Sequence, residues 1–143
     1  MKMLKLFLIE DNEGDILLIS EALEDLSFPL QITCAKDGQE AVEFLKTCVH
    51  GSQSEVPDLV LLDINLPKKN GQEVLHFIKN SEGLKRLPVI MLTTSSSHND
   101  ILESYLNHAN SYITKPVGSE SYQDILEKIE KFWFSLAQLP SKS

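Results

Sequence analysis

Asp58-Leu59-Val60-Leu61-Leu62-Asp63-Ile64-Asn65-Leu66-Pro67 is the stretch on which the fold turns. The apolar run Leu59 to Leu62 stops abruptly at a carboxylate, and Pro67 and Gly71 follow as turn punctuation. A short apolar run without alternation suits a strand buried on both faces, as in parallel sheets covered by helices on either side. Asp63 then stands at the carboxyl end of that strand, the rim at which open α/β sheets bind ligands.

Outward from this strand the same pattern repeats. Strands are expected over Leu4 to Ile9, Gln31 to Ala35, Leu59 to Leu62, Val89 to Leu92 and Tyr112 to Thr114. They alternate with helical patterns over about Asp15 to Leu26, Gly38 to Thr47, Gly71 to Asn80, Asn99 to Asn107 and Ser119 to Leu139. Such alternation is the signature of βαβ units and a parallel α/β sheet. In the first helix Ile16, Leu17, Ile19, Leu23 and Leu26 form a broad apolar face, with Glu21, Glu24 and Asp25 on the remainder. His50 to Pro57 reads as a polar surface loop. In the last helix Tyr122, Ile125, Leu126, Ile129, Phe132, Trp133 and Leu136 make one core stripe. Phe134 falls off that stripe and is either covered by the closing turn or tail, or exposed and available for self-association.

The 143 residues suit one domain, expected over 1–139, with 140–143 as a tail too short for an output domain. No apolar run approaches the roughly 20 residues that cross a bilayer, and the start, Met1 to Lys5, lacks a small-residue cleavage site, which points to a cytoplasmic protein. A net charge of −8 opposes nucleic-acid binding. Cys34 and Cys48 have no CxxC spacing and read as reduced thiols. His50, His76, His98 and His108 are scattered without a zinc pattern.

If the strands are parallel, Glu10-Asp11, Asp63, Thr93-Thr94 and Lys115-Pro116 converge on one rim. Carboxylates brought that close repel one another unless a cation sits among them. Oxygen donors with waters left in place suit Mg²⁺. Lys115 and Thr93 then offer a charge and a hydroxyl to a transferred phosphoryl group, and Asp63 is placed as the nucleophile that forms an aspartyl phosphate. Taken singly, Glu10-Asp11-Asn12 is also a helix-cap region, Thr93-Thr94-Ser95 a polar loop and Lys115-Pro116 a simple turn.

With these residues in view the chain resembles the receiver domain of bacterial response regulators from Leu4 to about Leu136. The motifs are Ile9-Glu10-Asp11-Asn12, Asp37-Gly38-Gln39-Glu40-Ala41, Asp58 to Pro67, Asn70-Gly71, Pro88-Val89-Ile90-Met91-Leu92-Thr93 and Tyr112-Ile113-Thr114-Lys115-Pro116. The resemblance implies a flavodoxin-like doubly wound sheet of five parallel strands, order 2-1-3-4-5, with five helices. It implies a Mg²⁺-dependent phosphoacceptor rather than an ordinary enzyme, charged at Asp63 by a histidine kinase and slowly self-dephosphorylating. Asp11 and Asp63 would bind Mg²⁺ directly, Glu10 mainly through water, and Asn65 through its main-chain carbonyl. Thr93 and Lys115 would contact the phosphoryl group, and Thr93 with Tyr112 would form the switch, the aromatic turning inward as Thr93 moves.

Within the family the loop lengths, the Thr93-Thr94-Ser95 run and the missing output domain are similar to the phytochrome-associated single-domain regulators. Those receive phosphate from a photoreceptor histidine kinase and tend to dimerise through the last strand and helix. Two departures are Thr94, where Ala or Ser is more usual, and Val117, where Phe is common. Thr94 is expected to narrow access to the phosphoryl group and so bears on its hydrolysis. Two rivals remain at this stage. One is a phosphatase of the haloacid dehalogenase type, which wants a second Asp where Asn65 stands. The other is a receiver that binds partners without accepting phosphate.

Overall fold

Leucine, valine and isoleucine in short uninterrupted runs build the centre of the molecule, because side chains that alternate across a strand can all be apolar only when both faces are covered. The computed structural model describes residues 3–51, 55–117 and 121–140. Its strands are β1 (Leu4–Ile9), β2 (Leu30–Ala35), β3 (Leu59–Leu62), β4 (Val89–Thr93) and β5 (Ser111–Thr114), all parallel and ordered β2-β1-β3-β4-β5. The helices are α1 (Glu13–Glu24), α2 (Gly38–His50), α3 (Gly71–Lys79), α4 (His98–Leu106) and α5 (Tyr122–Ile129). This is the doubly wound, flavodoxin-like α/β architecture expected, with element ends shifted by a few residues. The expected polar loop begins later, since His50 closes α2, and residues 52–54 of it lie outside the described residues, as does Ser119.

Alternation divides the core in two. Phe7, Ile9, Val60, Leu62, Val89 and Met91 face α2 and α3, meeting Val42, Leu45, Val74, Leu75 and Ile78. Leu6, Leu8, Leu59, Leu61, Ile90 and Leu92 face α1 and α5, meeting Ile19, Leu23, Leu126 and Ile129. Each of the five helices starts on a side chain that accepts a backbone N–H of its first turn: Asn12, Asp37, Asn70, Ser97 and Ser121. The caps fix where chain leaves each strand and turns back, which places the connecting loops on one rim.

The fourth helix is seated differently. Its only buried residue among those described is Ser104, while Leu102, Tyr105 and Leu106 are exposed. It is held by Gln72 of α3, whose Nε2 donates to Ser104 Oγ at 2.9 Å and whose Oε1 accepts from Asn107 Nδ2 at 3.3 Å. Ser104 Oγ in turn donates to the Asp100 carbonyl at 2.8 Å.

The end of the chain corrects the expected core stripe. After α5 the backbone continues as a π-helix, Glu130–Leu136, and the Ala137 N–H bonds the Phe132 carbonyl five residues back. The wider turn rotates the residues that follow. Phe134, five after Ile129, swings onto the core face at 8% exposure, and its ring packs 5.5 Å from Phe28. Phe132 and Leu136, expected inside, lie outside at 50% and 71% exposure. Trp133 keeps its expected place, partly buried against the core.

Candidate functional site

The site forms where β1 and β3 end side by side. Asp63 N–H bonds the Ile9 carbonyl at 3.0 Å, so the chain after β3 continues beside Glu10 and Asp11. The loop beyond it is pinned by Gly71, whose N–H reaches the Ile64 carbonyl at 2.7 Å. A Cβ on Gly71 would lie 2.1 Å from the Asp63 carbonyl oxygen, so only glycine lets α3 start this close to the site. Gly38 makes the second such approach, with a Cβ position 1.8 Å from the Lys69 carbonyl oxygen.

One carboxylate oxygen from each of Glu10, Asp11 and Asp63 falls within 4.8 Å of the others. Glu10 and Asp63 are buried and Asp11 is exposed, so the cluster opens to solvent on the Asp11 side. Lys115, 6% exposed, follows β5 and is fixed by its N–H on the Thr93 carbonyl at 2.8 Å. Its ammonium reaches Glu10 Oε1 at 2.7 Å, Asp15 Oδ2 at 2.8 Å and Asp63 Oδ2 at 3.1 Å. The Asn65 N–H approaches Asp63 Oδ1 at 3.4 Å, so Lys115 and Asn65 hold the Asp63 carboxylate from its two oxygens.

These contacts set the protonation of the site. Burial pushes the Glu10 carboxyl up to about 7 against the hydrogen bond from Lys115, and the Asp63 charge adds to the rise. Burial works against the charge on Lys115, but its hydrogen bonds to Asp15 and Glu10 and the charge of Asp63 outweigh it, so the ammonium is held above its ordinary range. Hard oxygen donors, one of which resists ionising beside its neighbours, fit a small divalent cation: the ion supplies the charge that lets all of them ionise.

Because the folded-state pKa of Glu10 lies above the ordinary 4.5 of a free glutamate, folded metal-free protein holds a proton that the unfolded chain releases. Stability of the metal-free protein is therefore expected to fall as pH rises from about 4.5 to about 7. Metal binding must expel that proton, so divalent affinity should rise up to about tenfold per pH unit below 7 and level off above it. Calorimetric Mg²⁺ titrations between pH 5.5 and 8 check this, and a flat affinity would refute it.

All of the expected rim residues are found at the carboxyl ends of the strands. Thr93 is fully buried at the end of β4, its hydroxyl accepting the Ser95 N–H at 3.5 Å. The Tyr112 hydroxyl donates to the Ser95 carbonyl at 2.8 Å, and its ring packs against the α3-side core. The half-buried ring is thus tied to the segment after Thr93. Asn12, read as either a cap or part of the acidic motif, caps α1 while its N–H bonds Glu10 Oε2 at 3.2 Å.

Two residues of the site were not singled out from sequence. Asp15 reads as an ordinary acidic residue of a helix first turn, and Tyr122 as part of the core stripe. In space Tyr122 OH donates to Asp15 Oδ1 at 3.0 Å, and Asp15 Oδ2 meets Lys115. Burial and the adjacent Asp15 push the Tyr122 hydroxyl well above its ordinary range, so it remains a donor. The available signal was position: Asp15 lies in the first turn of the helix that leaves the acidic rim at Glu10-Asp11.

Comparison with known proteins places the chain in a family. The family described as response regulator receiver domain matches residues 6–130. The probable methanogenesis regulatory protein FilR2 of Methanothrix harundinacea is 41% identical over 135 residues, 94% of this chain and 86% of that protein. Response regulator Rcp1 of Synechocystis is 38% identical over 136 residues, 95% of this chain and 92% of Rcp1. The crystal structure of the Mn²⁺-bound form of Rcp1 superposes with a TM-score of 0.85, covering 96% of this chain and 99% of that one. The crystal structure of phosphorylated RcpA, a cyanobacterial phytochrome response regulator, is 46% identical with a TM-score of 0.89, covering 98% of this chain and 100% of that one. No helix among the described residues is long and apolar enough to cross a membrane. Fold, carboxylate cluster and sequence thus lead to one assignment: the chain belongs to the response regulator receiver domain family of two-component signalling.

Proposed function

We propose that this protein accepts a phosphoryl group from the phosphohistidine of a sensor histidine kinase onto Asp63, in a Mg²⁺-dependent reaction, and that this switches its interaction surface. The reading is carried by the convergence of Glu10, Asp11 and Lys115 on the Asp63 carboxylate. Glu10, Asp11, Asp63 and the Asn65 main-chain carbonyl would hold the ion. When bound, Mg²⁺ neutralises the carboxylates and draws charge from the phosphoryl oxygens.

An Asp63 carboxylate oxygen attacks phosphorus in line with the departing histidine nitrogen. The P–O bond forms as the P–N bond breaks, and the electron pair leaves with the imidazole. Lys115, in contact with Asp63 Oδ2, would meet the charge delivered to the equatorial oxygens, while Thr93 would supply a hydroxyl there. The Tyr112 bond to Ser95 ties this hydroxyl's loop to β5, which gives the switch its route to the surface around α4. The protein serves as a phosphoacceptor with slow self-dephosphorylation rather than as a turnover enzyme, and it works in the cytoplasm.

By analogy with RcpA the kinase partner is a phytochrome. A second copy of the chain is the other partner, docking on β5 and the last helix. There Ile113, Ile125, Phe132 and Trp133 line a groove. Light scattering across concentration should show a dimer that Phe132→Asp disperses, and a monomer at every concentration would exclude it.

The function itself is tested by intact mass. The wild-type chain incubated with acetyl phosphate should gain one phosphoryl group with Mg²⁺ present and none with a chelator. No adduct under either condition would support the inert receiver instead.

A further inference from the structure

Lys115 has three N–H donors, and three carboxylates take them: Glu10, Asp15 and Asp63. Two of these acceptors belong to the cluster that would hold the cation, and Asp15 does not. A divalent ion that neutralises Glu10 and Asp63 weakens their hold on the lysine. The four-carbon stem of Lys115 would then be free to reorient at the moment its head is required. Asp15 is the partner that remains. It sits in the first turn of α1, behind the Asn12 cap, and its second oxygen is held by the buried Tyr122 of α5. Both residues line a groove of about 470 Å³ between α1 and α5, with Lys115, Pro116 and Thr94 beside them.

We propose that Asp15 is a positioning residue that keeps the Lys115 ammonium aimed at Asp63 when the metal is bound, and that Tyr122 fixes Asp15 for this role. The inference rests on the phosphoacceptor reading of Asp63. A lysine already aimed pays no ordering entropy during transfer, so the effect should appear in the rate of phosphorylation and not in metal affinity. A bond serving only to tie α1 to α5 would alter stability without acting through Lys115.

The test is a double-mutant cycle on the full chain, read with acetyl phosphate at saturating Mg²⁺. Asp15→Asn should slow phosphorylation roughly tenfold while calorimetric Mg²⁺ affinity changes by no more than about threefold. In a Lys115→Ala background the same change should alter the rate by no more than about twofold. Equal slowing in both backgrounds would overturn the proposal. Tyr122→Phe, which removes only the hydroxyl, should slow the reaction about threefold and serves if Asp15→Asn folds poorly.

A second readout needs no phosphorylation. Acetic anhydride labelling of Mg²⁺-loaded protein, followed by peptide mass spectrometry, should modify Lys115 several-fold faster in Asp15→Asn, with exposed Lys85 unchanged as the internal standard. Unchanged Lys115 labelling would refute the positioning role even if the wild-type chain took no phosphoryl group, an outcome that would independently remove the phosphoacceptor reading.

Discussion

Asp63→Asn should keep its mass after incubation with acetyl phosphate and Mg²⁺, under conditions in which the wild-type chain gains one phosphoryl group. The substitution is nearly isosteric, and the side-chain oxygen left in place can still accept from Lys115. What disappears is the charge. The amide oxygen is a weak nucleophile, and a product formed from it could not shed charge as an acyl phosphate does. The fold should survive, because one of three crowded carboxylates has been neutralised and their mutual repulsion falls. Intact mass spectrometry with a thermal melt of the same sample reads both halves. An adduct of equal yield on the variant would move the phosphoacceptor away from Asp63, and repeated turnover of small phosphate esters by the wild type would favour a phosphatase.

Lys115→Ala should act as strongly on the fold as on the chemistry. Removing the ammonium leaves Glu10, Asp15 and Asp63 facing one another without their shared counter-charge, two of them buried. Loss of one partner from a buried ionic group costs about 3 kcal/mol or more, and that loss is expected here in chelator at pH 8. Two conditions should reduce it. At pH 6 Glu10 can stay protonated, since burial places it near 7. With Mg²⁺ the ion replaces the missing positive charge. Phosphorylation by acetyl phosphate should nevertheless stay depressed by about 100-fold even with Mg²⁺ saturating, because the ammonium beside Asp63 that would meet the phosphoryl oxygens is gone. Urea unfolding with and without Mg²⁺ at the two pH values checks the pattern. Equal stability of variant and wild type in chelator at pH 8 would contradict it.

The sheet and its rim were legible in the sequence because the signals are local. Leu59 to Leu62 ending at Asp63, the cap region at Asn12 and the turn punctuation at Pro67 and Gly71 are each decided within a few residues. Strand order followed from family resemblance and not from any local pattern. The parts misread depend on partners far along the chain. A helical period of 3.6 places Phe132 and Leu136 inside, and nothing near them announces a π-helix. The partner of the rotated turn is Phe28, more than a hundred residues earlier. The Asp15 to Tyr122 bond spans a similar separation. Periodicity ranks the faces of a helix, but it cannot say which polar atom another helix will bring to that face.

The seating of α4 carries its own consequence. Apolar contact is non-directional and tolerates sliding, whereas the Gln72, Ser104 and Asn107 bonds exist only at one rotation and height of the helix. The Gln72 to Ser104 bond is buried, so a position that left either atom unpaired would cost about 1–3 kcal/mol. A helix mounted this way is expected to move between discrete rests rather than drift.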